Sequence, residues 1–186
     1  MKRMAWSALH ILGTALFLAV MLSRVAQAGA PTENDVADLA IGAFAEACPW
    51  PRQTASDVEA RMLRFASERG FADLPFALDF YDTTLEQTAA DVTPGTTRRC
   101  EVAFPGIHTE PATEALQILM ATPPVFGQPI PLPITHSPMP GTYFIEGRQL
   151  NARVAAVVHV GTRENATGLE TFINVERLLP SAPQSN

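Results

Sequence analysis

The sequence predicts an α+β domain: a mainly antiparallel sheet, made of a hairpin plus a C-terminal three-stranded meander, covered on one side by about three helices and tied by one disulfide. Three observations point there. Apolar residues recur at helical spacing in three segments before residue 122, and β-branched runs with a period of two fill the C-terminal third. The chain also carries only two cysteines, behind an N-terminus that reads as an export signal.

The first helix opens at Thr32, a capping residue followed by Glu33 and Asp35, whose charges favour the positive end of the helix dipole. Val36, Leu39, Ala40, Ala43, Phe44 and Ala47 share one face, and Cys48-Pro49-Trp50-Pro51 stops the helix. The second is expected after Ser56-Asp57-Val58-Glu59, a Ser-x-x-Glu reciprocal cap, running through Met62, Leu63 and Phe65 to Arg69, with Gly70 as its stop. The third begins at Thr109-Glu110-Pro111 and presents Ala115, Leu116, Leu119 and Met120 before ending near Ala121.

Strand signals separate and follow these helices. Phe76, Leu78 and Phe80 alternate with Ala77, Asp79 and Tyr81, a half-buried strand that Pro75 confines to an edge at its start. A hairpin is expected from Leu85 to Val92 and from Thr97 to Phe104, joined by a type II turn at Pro94-Gly95, with a short helix over Leu85 to Ala90 as the alternative. In its second strand Arg98, Cys100, Val102 and Phe104 share one face, and Arg99, Glu101 and Ala103 the other. The meander has strands at Thr142 to Gly147, Arg153 to Val160 and Leu169 to Leu178, with turns at Arg148 to Ala152 and Gly161 to Gly168. Between the third helix and the meander, seven of the twenty residues from Thr122 to Gly141 are proline, so the segment is an extended loop.

The domain organisation follows from the N-terminus. Lys2 and Arg3, an apolar run from Met4 to Leu22, and Ala26-Gln27-Ala28 have the layout of a signal peptide over residues 1 to 28. The run is also long enough to just span a bilayer, so an uncleaved anchor is the rival reading, and a membrane is a partner only in that case. Residues 29 to 179 then form a single α+β domain, and 180 to 186 a disordered tail. An oxidising compartment favours pairing Cys48 with Cys100, and the spacing lacks the C-x-x-C of a redox pair.

Charge and composition exclude several functions. Beyond residue 30 there are ten arginines, no lysine and nineteen carboxylates, a net charge of about −9, which argues against nucleic acid as a partner. Without lysine in the body, Schiff-base chemistry and a lysine-bearing phosphate loop are both excluded. His108, His136 and His159 are too far apart in sequence for a local metal motif, so neither a metal nor a cofactor is expected. No G-x-S-x-G occurs, Ser137 next to His136 is poor support for a dyad, and Asn165-Ala166-Thr167 is a glycosylation sequon that matters only in a eukaryotic secretory pathway.

Two functional expectations remain. The first is a non-catalytic exported domain, periplasmic or secreted, that binds a protein or envelope partner through the Pro-rich loop, at Val125, Phe126, Ile130, Leu132 and His136. The second is an exported hydrolase or small-ligand enzyme in which His159, inward on a central strand, pairs with a nearby carboxylate, with Glu146 on the neighbouring strand as the candidate.

Overall fold

A computed structural model describes residues 30–83, 92–122 and 125–178. Three helices, α1 (Glu33–Ala47), α2 (Ala55–Ser67) and α3 (Thr109–Ala121), accompany six strands: β1 (Ala77–Asp82), β2 (Thr96–Pro105), β3 (Pro129–Ile130), β4 (Thr142–Asn151), β5 (Val154–Asn165) and β6 (Gly168–Leu178). The strands form one antiparallel sheet in the order β1-β2-β6-β5-β4-β3. The described residues from Thr32 onward belong to one compact unit. The expected signal segment and C-terminal tail lie outside the described residues, and no described helix is long and apolar enough to cross a membrane.

The helices are set by local chemistry. Thr32 Oγ1 accepts from the Asp35 N–H while the Asp35 carboxylate accepts from the Thr32 N–H, a reciprocal cap that closes the first turn of α1. Thr54 and Asp57 make the same arrangement for α2, so that helix starts earlier than the Ser56-to-Glu59 pattern implies; Ser56 instead bonds the Thr54 hydroxyl. Val58, Met62 and Ala66 face inward and Phe65 is half-buried, while Leu63, expected on the apolar face, is exposed. Gly70, at φ +85°, ends the segment in the left-handed conformation that glycine adopts without strain.

All three helices lie on one face of the sheet: α1 on β2, α2 on α1 and β1, and α3 across β5 and β6. Leu39, Phe44, Met62 and Leu116 meet Val102, Phe104, Val158, Val160 and Ile173 in the core, and burying each such side chain contributes roughly 1.5–3 kcal/mol. Cys48 at the end of α1 bonds Cys100 in β2, fastening helix layer to sheet.

Two expectations about the strands need amending, and one holds. The partner of β2 is Ala77–Asp82; Leu85 to Asp91, expected to supply it, lies outside the described residues, and Val92 is not in a strand. The expected turn at Pro94-Gly95 is present, with Thr96 N–H donating to Thr93 O and Gly95 at φ +93°. The meander turns are only two residues each, 152–153 and 166–167, far tighter than expected. Polar contacts prolong the ladders beyond the core: Asn151 and Asn165 accept from the N–H two residues on, at Arg153 and Thr167, and Arg163 pairs with Glu170 across β5 and β6.

Candidate functional site

The helix-free face of the sheet carries a row of side chains fixed by register. Glu101 on β2 lies opposite Asn174 on β6, which lies opposite His159 on β5, which lies opposite Ile145 on β4. One step along the strands, Arg99, Glu176 and Val157 form a second row. Because side chains alternate, these residues stand on the face opposite Cys100, Val102, Val158 and Val175. A cavity of about 230 Å³ lies among them, roofed by Thr135 to Pro140 of the Pro-rich segment and floored by His159, Glu101, Asn174 and Glu176.

This face is charged and buried at once. Glu101, Glu176, His136, His159 and Asn174 are each 7% exposed or less. Such groups are tolerated only when paired, and here they are. Arg163 Nη1 donates to Glu101 Oε1 at 2.6 Å and Arg99 Nη2 to Glu101 Oε2 at 2.8 Å, while Arg163 Nε reaches Glu170 at 2.7 Å. Glu176 Oε2 lies 2.8 Å from His136 Nε2 and accepts from Thr96 Oγ1 at 2.8 Å. Burial alone pushes the Glu176 carboxyl up, but these hydrogen bonds outweigh it and hold the group below its ordinary range.

His159 Nε2 lies 2.9 Å from Thr142 Oγ1, which accepts from the Met139 N–H and so has its own proton to point at the ring. Phe172 meets the imidazole edge-on at 4.9 Å. Burial lowers the His159 pKa; Glu101 and Glu176 oppose the shift and His136 adds to it. A neutral ring is the outcome, able to accept a proton at a cost set by its desolvation.

Glu146 and His159 do not converge. Register places Glu146 opposite Val158, on the other face from His159, and Glu146 instead pairs with Arg148 at 2.6 Å. The carboxylates that share the His159 cavity are Glu101 and Glu176. Alternation puts Glu101 opposite Cys100, Val102 and Phe104, yet only the pairing of β2 with β6 and of β6 with β5 joins it, with Asn174 and Glu176, to His159. Ser137 lines the same cavity. Of the loop residues expected to meet a partner, Phe126 and His136 are buried and Val125, Ile130 and Leu132 half-buried; Ile134 and Met139 are the exposed apolar ones. His108 occupies the N-cap position of α3 without a side-chain capping bond, and its Nε2 lies 3.2 Å from Glu33. Among the described residues no group of three or more His, Cys, Asp or Glu is arranged to hold a metal ion.

A comparison of the chain with protein-family models, curated proteins and solved structures yields no match.

Proposed function

We propose that the chain is an exported, non-catalytic binding protein of the cell envelope whose contact surface is the Pro-rich segment. One observation carries this reading: the segment is pinned to the sheet by His136, against Glu176, and by the Met139 N–H, which donates to Thr142 Oγ1, yet holds Ile134 97% and Met139 63% exposed. A pinned loop has little freedom left to lose on binding, and apolar side chains held out in water gain by being covered. Export is supported by the basic start, apolar run and small-residue site of the N-terminus together with the Cys48 to Cys100 disulfide. Native co-purification from an envelope fraction, with wild type and the Ile134→Ser/Met139→Ser variant, tests it. A partner retained by wild type and lost by an equally stable variant is expected; the same companions on both would overturn it.

A second reading, an exported hydrolase or small-ligand enzyme, is favoured by the presence of His136, His159, Glu101, Glu176 and Ser137 around one cavity. In that reading His159 is the base and Ser137 or a water the nucleophile. Hydrolysis of a panel of activated esters that falls at least tenfold in His159→Gln, with folding intact, is the expected result. Rates no faster than buffer would end it.

A further inference from the structure

Another cavity, of about 320 Å³, opens on the helix side of the sheet, beside the disulfide. Its walls are apolar: Trp50, Phe126, Leu150, Val154 and Val175 surround the Cys48 to Cys100 bridge. Arg98 and Arg177 are the charged residues at its lining, and no carboxylate among the described residues joins them there.

Those two arginines occupy an unfavourable arrangement. Arg98 of β2 lies directly opposite Arg177 of β6, a like-charge cross-strand pair that ordinarily destabilises a sheet. Arg98 is only 5% exposed, and its buried Nη2 has no hydrogen-bond partner. An unsatisfied donor on a buried cation is among the costlier features a fold can carry. Asp82, in register with Arg98 on β1, supplies one negative charge against two guanidinium groups, and the Phe80 ring lies 4.9 Å from the Arg98 guanidinium. Burial and the Arg177 charge both lower the Arg98 pKa, as expected of a cation short of counter-charge.

We propose that this cavity is a binding site for a small amphipathic anion, a carboxylate on a single aliphatic chain, with the head group against Arg98 and Arg177 and the chain between Trp50, Phe126 and Leu150. The chemistry fits on each side. An anion supplies the missing charge and accepts from the guanidinium donors, and an apolar body replaces water against the walls. The volume sits at the lower end of small-molecule sites, which favours one chain over a two-chain lipid.

Calorimetric titration of the full chain with decanoate, decan-1-ol and decyltrimethylammonium tests it. Decanoate is expected to bind at least tenfold more tightly than the alcohol, and the cation not at all. Arg98→Gln should bring decanoate down to the alcohol's affinity without changing the alcohol, and Val154→Phe, which adds bulk to an apolar wall of the cavity, should abolish both. Should Arg98→Gln fail to fold, Arg177→Gln, whose arginine is only half-buried, takes its place. Equal affinity for acid and alcohol, no binding of decanoate, or an arginine variant that binds decanoate as wild type does would overturn the proposal.

Discussion

His136 Nε2 lies 2.8 Å from Glu176 Oε2, with the two side chains 4% and 6% exposed. This contact ties the middle of a proline-rich segment, which has few backbone donors of its own, to a central strand of the sheet. Together with the pairing of the two-residue strand β3 on β4, it holds the segment over a buried polar cavity.

Removing one member of this pair strands the other. His136→Ala leaves Glu176 buried with only threonine hydroxyls and should cost about 3 kcal/mol, since a broken buried pair leaves an uncompensated charge. His136→Ala/Glu176→Gln should cost clearly less than the sum of the two single changes. Urea denaturation of the four proteins measures the coupling; strictly additive losses would show that the pair does not hold the segment.

The disulfide closes a separation of 52 residues between α1 and β2, for which chain entropy alone gives ~4 kcal/mol. Cys48→Ser/Cys100→Ser should lose about that much, a large share of the net stability of a domain this size. An unfolding free energy lowered by less than a quarter of that in chemical denaturation would mean that the packing of α1 on β2 already fixes the layer.

Acid should weaken the fold in two steps. His159 has its pKa held below the ordinary value of 6.5, first by burial, so the unfolded chain takes up this proton before the folded one does. Its contribution is therefore complete above about pH 6.5 and declines as pH falls below it. Glu176, held below its ordinary 4.5, acts in the same direction at lower pH, its contribution being lost as pH falls below that value. His159→Gln should flatten the melting-temperature profile between pH 7 and 5.5 and spare the lower limb. Parallel profiles for wild type and variant would rule out His159 as the upper step.

The helix layer was legible because capping and apolar spacing are local: Thr32, the Leu39 to Phe44 face and Gly70 each act within a few residues. Even the shift from Ser56 to Thr54 is a choice between two neighbouring caps of similar chemistry. Strand faces were legible for the same reason, as the division of Arg98, Cys100, Val102 and Phe104 from Arg99 and Glu101 in β2 shows. Register is not local. Glu101, Asn174 and His159 come from three strands, with Glu101 and Asn174 73 residues apart in sequence, and a slip of one residue reverses which face each takes. That is why Glu146, close to His159 in any meander, looked like its partner and turned out to face away. The Arg98 and Arg177 pairing was hidden likewise, since neither arginine is unusual until β6 is placed beside β2.

Gly141 is where the Pro-rich segment joins β4. It has φ +87°, and its carbonyl accepts from the Thr162 N–H at 2.9 Å. A Cβ there would press on the backbone oxygen of Thr162, which cannot swing aside as a side chain could. Gly95, at φ +93°, has nothing within 4 Å of such a Cβ. Gly95→Ala should therefore cost only the conformational term of roughly 1 kcal/mol, and Gly141→Ala that term plus a steric one, about 2–4 kcal/mol in all. The distinguishing sign is chemical. Thr142 follows Gly141 and bonds His159, so displacing it opens the ring to water and should bring the His159 pKa back toward 6.5 in Gly141→Ala but not in Gly95→Ala. Following the His159 ring protons by NMR across pH 4 to 8 checks this, and an unmoved titration in Gly141→Ala would show that Thr142 does not govern the histidine.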